Sequence, residues 1–316
     1  MLKFHEFLKE VVFKKIPRKE LMIKLHLEYD EFQGLDNITM SRWTNGVTKP
    51  SSCRQLLIAN AAQCLDTYLT QCSAPKIPIS IESQFRKFLN QFNSCYHAII
   101  MPSNQENKVY HFKGDNHEAK KIYGEFTSRI NFISSKLESF DENDKKYKVD
   151  VFYKGNLDRN TPESYLYFHK EVSIVLDSLN LCYKKCGIEN INNALFFGLS
   201  FFKNSFDYEL LFGLVLNYII RHHFNVKSAL FTARGREDIS LYEILGAEQL
   251  TLLENSKEYG NVYLYHIDLQ KVLSSPIFLG LIIKYNPIYV REYEKIHTNG
   301  SKVSMFFNDE YESIVA

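Results

Sequence analysis

The stretch that most constrains the fold of this chain is residues 35–50, with the sequence LDNITMSRWTNGVTKP. Asp36 or Asn37 is expected to cap a helix here, because a short side-chain oxygen accepts hydrogen bonds from the free backbone N–H groups of the first turn. Gly46 is placed to end that helix in the left-handed conformation, and Pro50 to begin the next element. The stretch therefore predicts a short helix between a polar cap and a glycine turn.

The side chains of this predicted helix divide into two groups. We expect one group to face a small apolar core, namely Ile38, Met40 and Trp43. The second group is polar and is left largely on the opposite face, namely Asn37, Thr39, Ser41, Arg42 and Asn45. A helix of this kind presents hydrogen-bonding side chains outward, while one tryptophan holds it to the rest of its domain.

Further helices are predicted on both sides of this stretch. Apolar residues recur at helical spacing in residues 4–12, Pro17 opens a helix over residues 17–25, and Ser51 or Ser52 caps another over residues 51–65. Several short helices in so short a segment indicate a small all-α domain. Its predicted core contains Phe4, Leu8, Leu21, Leu25, Met40, Trp43, Leu57 and Ala61.

Chain length and composition indicate a globular protein with two domains. A chain of 316 residues is more typical of two domains than of one, and 45% hydrophobic with 24% charged residues excludes a disordered chain. Pro75 and Pro78, among small polar residues, mark residues 73–84 as a linker. We therefore expect a first domain at residues 1–72 and a second at residues 85–316.

Charge does not decide whether the chain binds nucleic acid. The formal net charge is only +1, and residues 1–75 contain 10 Lys and Arg against 8 Asp and Glu. Since local charge governs DNA binding, this weak asymmetry neither supports nor excludes it.

Metal, secretion and membrane signals are weak in this sequence. The six cysteines form no CxxC pair, so no metal site is expected. The first residues, MLKFHEFLKEVVFKK, lack the continuous apolar core of a signal peptide. The most apolar region, residues 194–220, is interrupted by charged residues and is not expected to cross a bilayer. These observations predict a cytoplasmic protein that does not enter a membrane.

Residues 85–316 are predicted to alternate strands and helices around one sheet. The predicted strands are residues 95–101, 108–112, 147–153, 194–202, 227–233 and 259–268. The predicted helices are residues 117–140, 162–186, 207–224 and 240–245. This alternation indicates an α/β or α+β domain.

Residues 4–65 resemble helix-turn-helix domains of the phage-repressor or xenobiotic-response-element (XRE) class. Residues 17–25 correspond to the first helix of the motif and residues 38–43 to the second, and the most specific part is the order SRW-x-x-G-x-x-x-P-S. The turn between the helices, residues 26–36, is longer than in compact members of the class. The resemblance implies a recognition helix in the major groove of double-stranded DNA, and a homodimer that reads two half-sites.

The resemblance also implies which residues read bases. Arg42, on the outward face, would bond O6 and N7 of guanine together. Asn37 and Thr39, at the start of the helix, would reach base edges or the adjacent phosphate. Ser41 lies on the same outward face.

Four other residues are implied to contact the DNA backbone. Asn45, Thr48 and Lys49 lie where the chain leaves the recognition helix, and phosphate contacts there would fix register without reading sequence. Arg18 lies at the start of the preceding helix, where it would meet phosphate together with the helix dipole. An alternative is that Arg42 and Lys49 only keep an exposed face solvated.

Residues 194–269 resemble the C-terminal half of GNAT-type acyltransferases. The resemblance rests on the order strand, helix, strand, short helix ending in Tyr-x-x-x-Gly, and strand. It is carried by SLYEILGA at residues 240–247 and GNVYLY at residues 260–265. It implies an α+β domain with a central, mostly antiparallel mixed sheet.

The coenzyme A site of that family is expected to be lost. In active members, a glycine-rich turn after the first of these strands offers backbone N–H groups to the pyrophosphate. Here the turn, residues 203–209, reads KNSFDYE and has no glycine. Asp207 and Glu209 are expected to face the place of the phosphates and repel them. No cofactor is therefore predicted.

Tyr242 is the one candidate catalytic residue. It corresponds to the tyrosine that often acts as general acid in the family. Alternatively, it packs between helix and sheet with its hydroxyl bonded nearby. His222 and His223 could form a metal or base site, but no carboxylate lies at ligand spacing from them.

Together these patterns indicate a DNA-binding transcription regulator whose acyltransferase-like domain senses a small-molecule or protein effector, dimerises, or does both. The alternatives are an active acyltransferase that carries a DNA-binding domain, and a module that binds other proteins.

Overall fold

The computed structural model describes residues 1–93, 108–127, 147–155, 162–178, 181, 191–257, 260–293 and 302–306. The predicted strand at residues 95–101 lies outside these residues, as does the part of the predicted helix 117–140 that follows Thr127. The described chain is an α+β protein in which a group of helices precedes one mixed sheet, so this coarse prediction is confirmed.

The first part of the chain is helical throughout. Its helices are α1 (Phe4–Phe7), α2 (Phe13–Lys15), α3 (Arg18–Glu28), α4 (Asn37–Thr44), α5 (Ser52–Ala61) and α6 (Leu65–Gln71), with a π-helical segment Leu8–Val12 between α1 and α2. All eight predicted core residues are buried. Helix α3 runs beyond the predicted end, so the connection to α4 is shorter than expected and contains a 3-10 turn, Asp30–Phe32.

One sheet of eight strands organises the rest of the described chain, in the order β6-β7-β5-β4-β3-β2-β1-β8. The strands are β1 (Lys108–Asp115), β2 (Lys148–Gly155), β3 (Pro162–His169), β4 (Ala194–Phe197), β5 (Ser228–Arg234), β6 (Glu248–Ser256), β7 (Gly260–Asp268) and β8 (Lys302–Phe306). Only β4 and β5 pair in parallel among these strands. A parallel pair needs a crossover connection, and a long helix supplies it here.

Helices cover both faces of the sheet. They are α7 (Ile79–Asn90), α8 (Asn116–Thr127), α9 (Val172–Ser178), α10 (Ser205–His222), α11 (Arg236–Ile244), α12 (Leu269–Ser274) and α13 (Pro276–Ile288). Phe152 of β2 belongs to the core shared with α10, whereas Val151 belongs to the core shared with α8. Because successive strand residues point to opposite faces, α10 and α8 lie on opposite sides of the sheet.

The predicted long helix at residues 162–186 is wrong. The structure has strand β3 there, followed by the short helix α9. Strand β3 pairs with β2 from Val149↔His169 to Gly155↔Pro162, and its residues are all buried or half-buried. A strand covered on both faces shows no apolar–polar alternation, and Pro162 stands at its first position, where a missing N–H is tolerated.

The N-terminal helices pack against the sheet-containing part. Helix α5 contacts α12, and α6 contacts α13. The Arg221 guanidinium lies 2.8 Å from the Asp66 carboxylate, and the Asn286 amide donates to Thr70 Oγ1 at 3.2 Å. One hydrophobic cluster contains residues of both parts. Helix α7 begins within the predicted linker, at Ile79. The predicted division into two domains stays a prediction.

The described residues include no helix that is long and apolar enough to cross a membrane.

Candidate nucleic-acid interface

Helix α4 begins and ends where the sequence predicts. Asp36 is the cap: its Oδ1 accepts a hydrogen bond from the Thr39 N–H at 2.6 Å, and this bond lowers the pKa of the Asp36 carboxyl. At the other end Gly46 has φ +70°, while the Val47 N–H donates to the Arg42 carbonyl at 2.9 Å. This is the Schellman arrangement, which satisfies carbonyls at the end of a helix.

The buried face of α4 differs from the prediction at one residue. Met40 and Trp43 are buried as expected, but Ile38 is 64% exposed. An α-helix turns about 100° per residue, so two residues separate Ile38 from Met40 by about 200°. Ile38 therefore belongs to the outward face, and the expectation that it lies in the core is wrong.

The predicted DNA-contacting residues occupy one side of this helix and the chain that leaves it. Asn37, Arg42, Asn45, Thr48 and Lys49 are exposed, and Thr39 and Ser41 are half-buried. The Asn45 amide lies 3.4 Å from Ser41 Oγ, one turn earlier. The outward face is thus accessible and mostly polar.

The structure brings Arg18 to the start of α4. Its guanidinium donates a hydrogen bond to the carbonyl of Asn37, although the two residues belong to different helices. Arg18 is half-buried, and its Nε has no hydrogen-bond partner among the described residues. Sequence reasoning placed Arg18 only at the start of α3, because nothing in the sequence signals a contact across the turn.

A second region of interest is the start of α10, which corresponds to the expected cofactor turn. Asn204 caps this helix by accepting from the Asp207 N–H at 2.8 Å. The Ser205 N–H, in the first turn, donates to Oδ1 of Asn93 at 3.0 Å. Two backbone donors of this first turn are therefore already bonded to side chains of the same chain.

The two carboxylates of this turn do not face a phosphate position, so that expectation is wrong. Asp207 is fully buried, and its carboxylate bonds the ammonium of Lys154 in β2 and the hydroxyl of Ser164 in β3, the latter at 2.6 Å. Glu209 pairs instead with Lys284 of α13, with 2.6 Å between Oε2 and Nζ. Both partners come from elements distant in sequence, which is why the sequence did not reveal them.

Helix α7 and the residues after it lie against the first turns of α10 and α11. The rings of Phe85, Phe88 and Phe92 pack on Tyr208, with centroids 6.3, 4.9 and 5.3 Å away. The Gln91 amide donates to the Asp238 carboxylate of α11 at 2.6 Å. Together with the Asn93 contact, these residues lie against the starts of both helices.

Tyr242 packs against the sheet. Its ring centroid lies 4.4 Å from that of Phe231 in β5 and 6.2 Å from that of Phe88 in α7. Burial raises the pKa of Tyr242, and the negative charge of Asp238 acts in the same direction. These contacts fit the packing alternative better than a general acid facing a substrate.

His222 and His223 lie at the end of α10. The His222 ring is 3.3 Å from the Tyr289 hydroxyl, whereas His223 is buried, and neither of its ring nitrogens has a hydrogen-bond partner among the described residues. Burial lowers the pKa of His223 to about 4. In the described part of the chain, no three His, Cys, Asp or Glu residues are grouped so as to hold a metal ion.

The buried imidazole predicts a pH-dependent stability. Unfolded His223, with a pKa near 6.5, binds a proton between about pH 6.5 and pH 4, whereas the folded chain does not. The free energy of unfolding should therefore fall as the pH is lowered through this window. Replacing His223 with leucine should make that fall shallower, as measured by urea denaturation across the window. Parallel curves for the two proteins would contradict the prediction.

The chain matches no protein-family model, and a search of the curated proteins finds no match.

Proposed function

We propose that this chain is a sequence-specific DNA-binding transcription regulator. The observation that carries the proposal is helix α4, capped at Asp36 and ended at Gly46, which presents an exposed polar side chain at Arg42. A short helix held by its buried face to a helical unit is the geometry with which helix-turn-helix proteins enter the major groove.

The residues around α4 divide into two roles in this proposal. Arg42 reads guanine through O6 and N7, and Asn37, Thr39 and Ser41 reach neighbouring base edges. Arg18, Asn45, Thr48 and Lys49 contact phosphate and fix the register. The hydrogen bond from Arg18 to the Asn37 carbonyl supports the role of Arg18, because it holds a positive charge at the start of the helix that would lie in the groove.

The proposal includes a homodimer in the cytoplasm. A helical part with a small positive charge binds DNA weakly alone, because affinity depends on the number of phosphates neutralised. Two copies double that number and read two half-sites.

For the sheet-containing part we propose a GNAT-like fold that no longer binds coenzyme A. The element order β4, α10, β5, α11, β6, β7, with Gly246 directly after α11 and its C-cap, supports the fold. The occupied backbone donors at the start of α10 and the packing of α7 support the loss of the cofactor. This part would then sense a small-molecule or protein effector, or dimerise.

DNA binding is tested first by selecting duplexes from a random-sequence pool with the full-length protein. We expect one enriched sequence, bound by a dimer with a slope of log K against log salt of about −4, from Arg18 and Lys49 in each copy. Arg18→Ala and Lys49→Ala should each make the slope shallower, by about two for a dimer. No enriched sequence and no salt-dependent binding would refute the proposal and favour a protein-binding module.

A second prediction separates the regulator from an acyltransferase. Acetyl-, medium-chain and long-chain acyl-CoAs should not change the thermal unfolding of the full-length protein, because α7 packs on Tyr208 and Asn93 bonds the first turn of α10, where this proposal puts the lost cofactor turn. A ligand at 100 times its dissociation constant would add about 2.7 kcal/mol, which is easily detected. A clear shift, with turnover lost in Tyr242→Phe, would support the enzyme instead.

A further inference from the structure

The outward face of α4 carries an apolar residue among polar ones. Ile38 is 64% exposed, and helical geometry places it in one row with Arg42 and Asn45, at spacings of four and three residues. This row lies opposite the buried Met40 and so forms the outermost line of the helix. An apolar side chain thus occupies the most protruding part of the surface on which base reading depends.

A duplex offers a specific apolar partner to such a side chain. In the major groove, only thymine among the four bases presents a methyl group, at C5, and apolar side chains recognise it by contact. Arg42, one turn away on the same row, provides the matching donor group for guanine. The row therefore combines the two kinds of contact that distinguish thymine from cytosine and guanine from adenine.

We propose that Ile38 is a specificity-determining residue that reads the 5-methyl group of a thymine. This inference rests on the proposed function, since it needs α4 in the major groove. Four residues advance an α-helix by about 6 Å, and successive base pairs are about 3.4 Å apart. The thymine should therefore lie one or two base pairs from the guanine that Arg42 contacts.

The chain offers a matched control for this residue. Ile23 of α3 is also an exposed isoleucine of the helical part, at 52%, but it lies on a different helix. Replacing either residue with alanine removes apolar surface from solvent and leaves the buried core intact. An effect confined to Ile38→Ala would therefore come from the position of the side chain and not from the loss of an isoleucine.

The experiment uses the full-length protein and the duplex that it selects from a random-sequence pool. Each thymine of that duplex is replaced in turn by deoxyuridine, which keeps base pairing and removes only the 5-methyl group. We expect the wild-type protein to bind one substituted duplex about fourfold more weakly. Ile38→Ala should bind the unmodified duplex about fourfold more weakly for each half-site, which is about 16-fold for the dimer, and should no longer distinguish it from that substituted duplex. Ile23→Ala should behave like the wild type.

The outcomes separate this inference from the proposed function. If a duplex is selected but no deoxyuridine substitution weakens binding, or if Ile38→Ala still distinguishes thymine from uracil, the role of Ile38 is refuted and DNA recognition by α4 stands. If no duplex is selected, both are refuted. Thermal unfolding of each variant confirms that it is folded.

Discussion

Replacement of Arg42 by alanine should abolish the preference for one base pair in each half-site of the selected duplex. A bidentate contact between arginine and guanine contributes about 1–3 kcal/mol of discrimination, so binding to the selected duplex should weaken roughly 5- to 150-fold for each half-site. Binding to a random duplex should change little, because Arg42 in this proposal reads a base and does not fix the phosphate backbone.

Lys49→Ala is the matched comparison for Arg42→Ala. Both residues are exposed cations of the same segment, one on α4 and the other just beyond it. Loss of a phosphate contact should weaken binding to all duplexes by a similar factor and make the salt dependence shallower. Titrations of both variants against selected and random duplexes measure this. Equal losses on both duplexes in both variants would refute the division of roles.

Replacement of Asp207 by asparagine should destabilise the fold by about 3–5 kcal/mol, because it leaves the charge of Lys154 buried without its counter-ion. The two side chains are almost fully shielded from solvent, and the carboxylate also accepts from Ser164. Urea denaturation of the full-length protein measures the change. Glu209→Gln is the control in the same helix, since its ion pair with Lys284 is partly exposed and should contribute no more than about 1 kcal/mol.

A double variant distinguishes the ion pair from general damage to the site. Lys154→Met alone leaves the charge of Asp207 buried, so it should also be strongly destabilising. The double variant Lys154→Met/Asp207→Asn leaves no unpaired charge. Its loss of unfolding free energy should therefore be well below the sum of the losses of the two single variants. Additive losses, or an Asp207→Asn variant as stable as Glu209→Gln, would contradict this account of the pair.

Helix α4 was predictable because its signals are local. The cap at Asp36 and the left-handed Gly46 act within a few residues of the chain, through a side-chain oxygen that accepts from the Thr39 N–H and a positive φ that glycine permits. The prediction is wrong at Ile38, because its apolar residue type suggests the core whereas its angular position on the helix points outward. An apolar residue of a helix is buried only where its angular position also faces the core.

Strand β3 is an element that the sequence pattern does not predict. The sequence pattern predicts a helix over its aromatic residues, because a strand buried on both faces lacks the alternation that marks half-exposed strands. Pairing with β2, which ends at Gly155, and with β4, which begins at Ala194, determines its conformation. Strands β1, β2, β4, β5 and β7 overlap the strands that the sequence predicts.

The candidate DNA-contacting residues and the expected loss of a cofactor site are predictions from the sequence. The sequence by itself determined the caps and the glycine turn of α4, since these depend on bonds between near neighbours. Only the tertiary structure decided that Arg18 reaches the start of α4, that Asp207 turns inward to Lys154 and Ser164, and that α7 packs against α10 and α11. These contacts join residues far apart in the chain. A buried charge is costly unless it is paired, so the tertiary fold decides which partner it bonds.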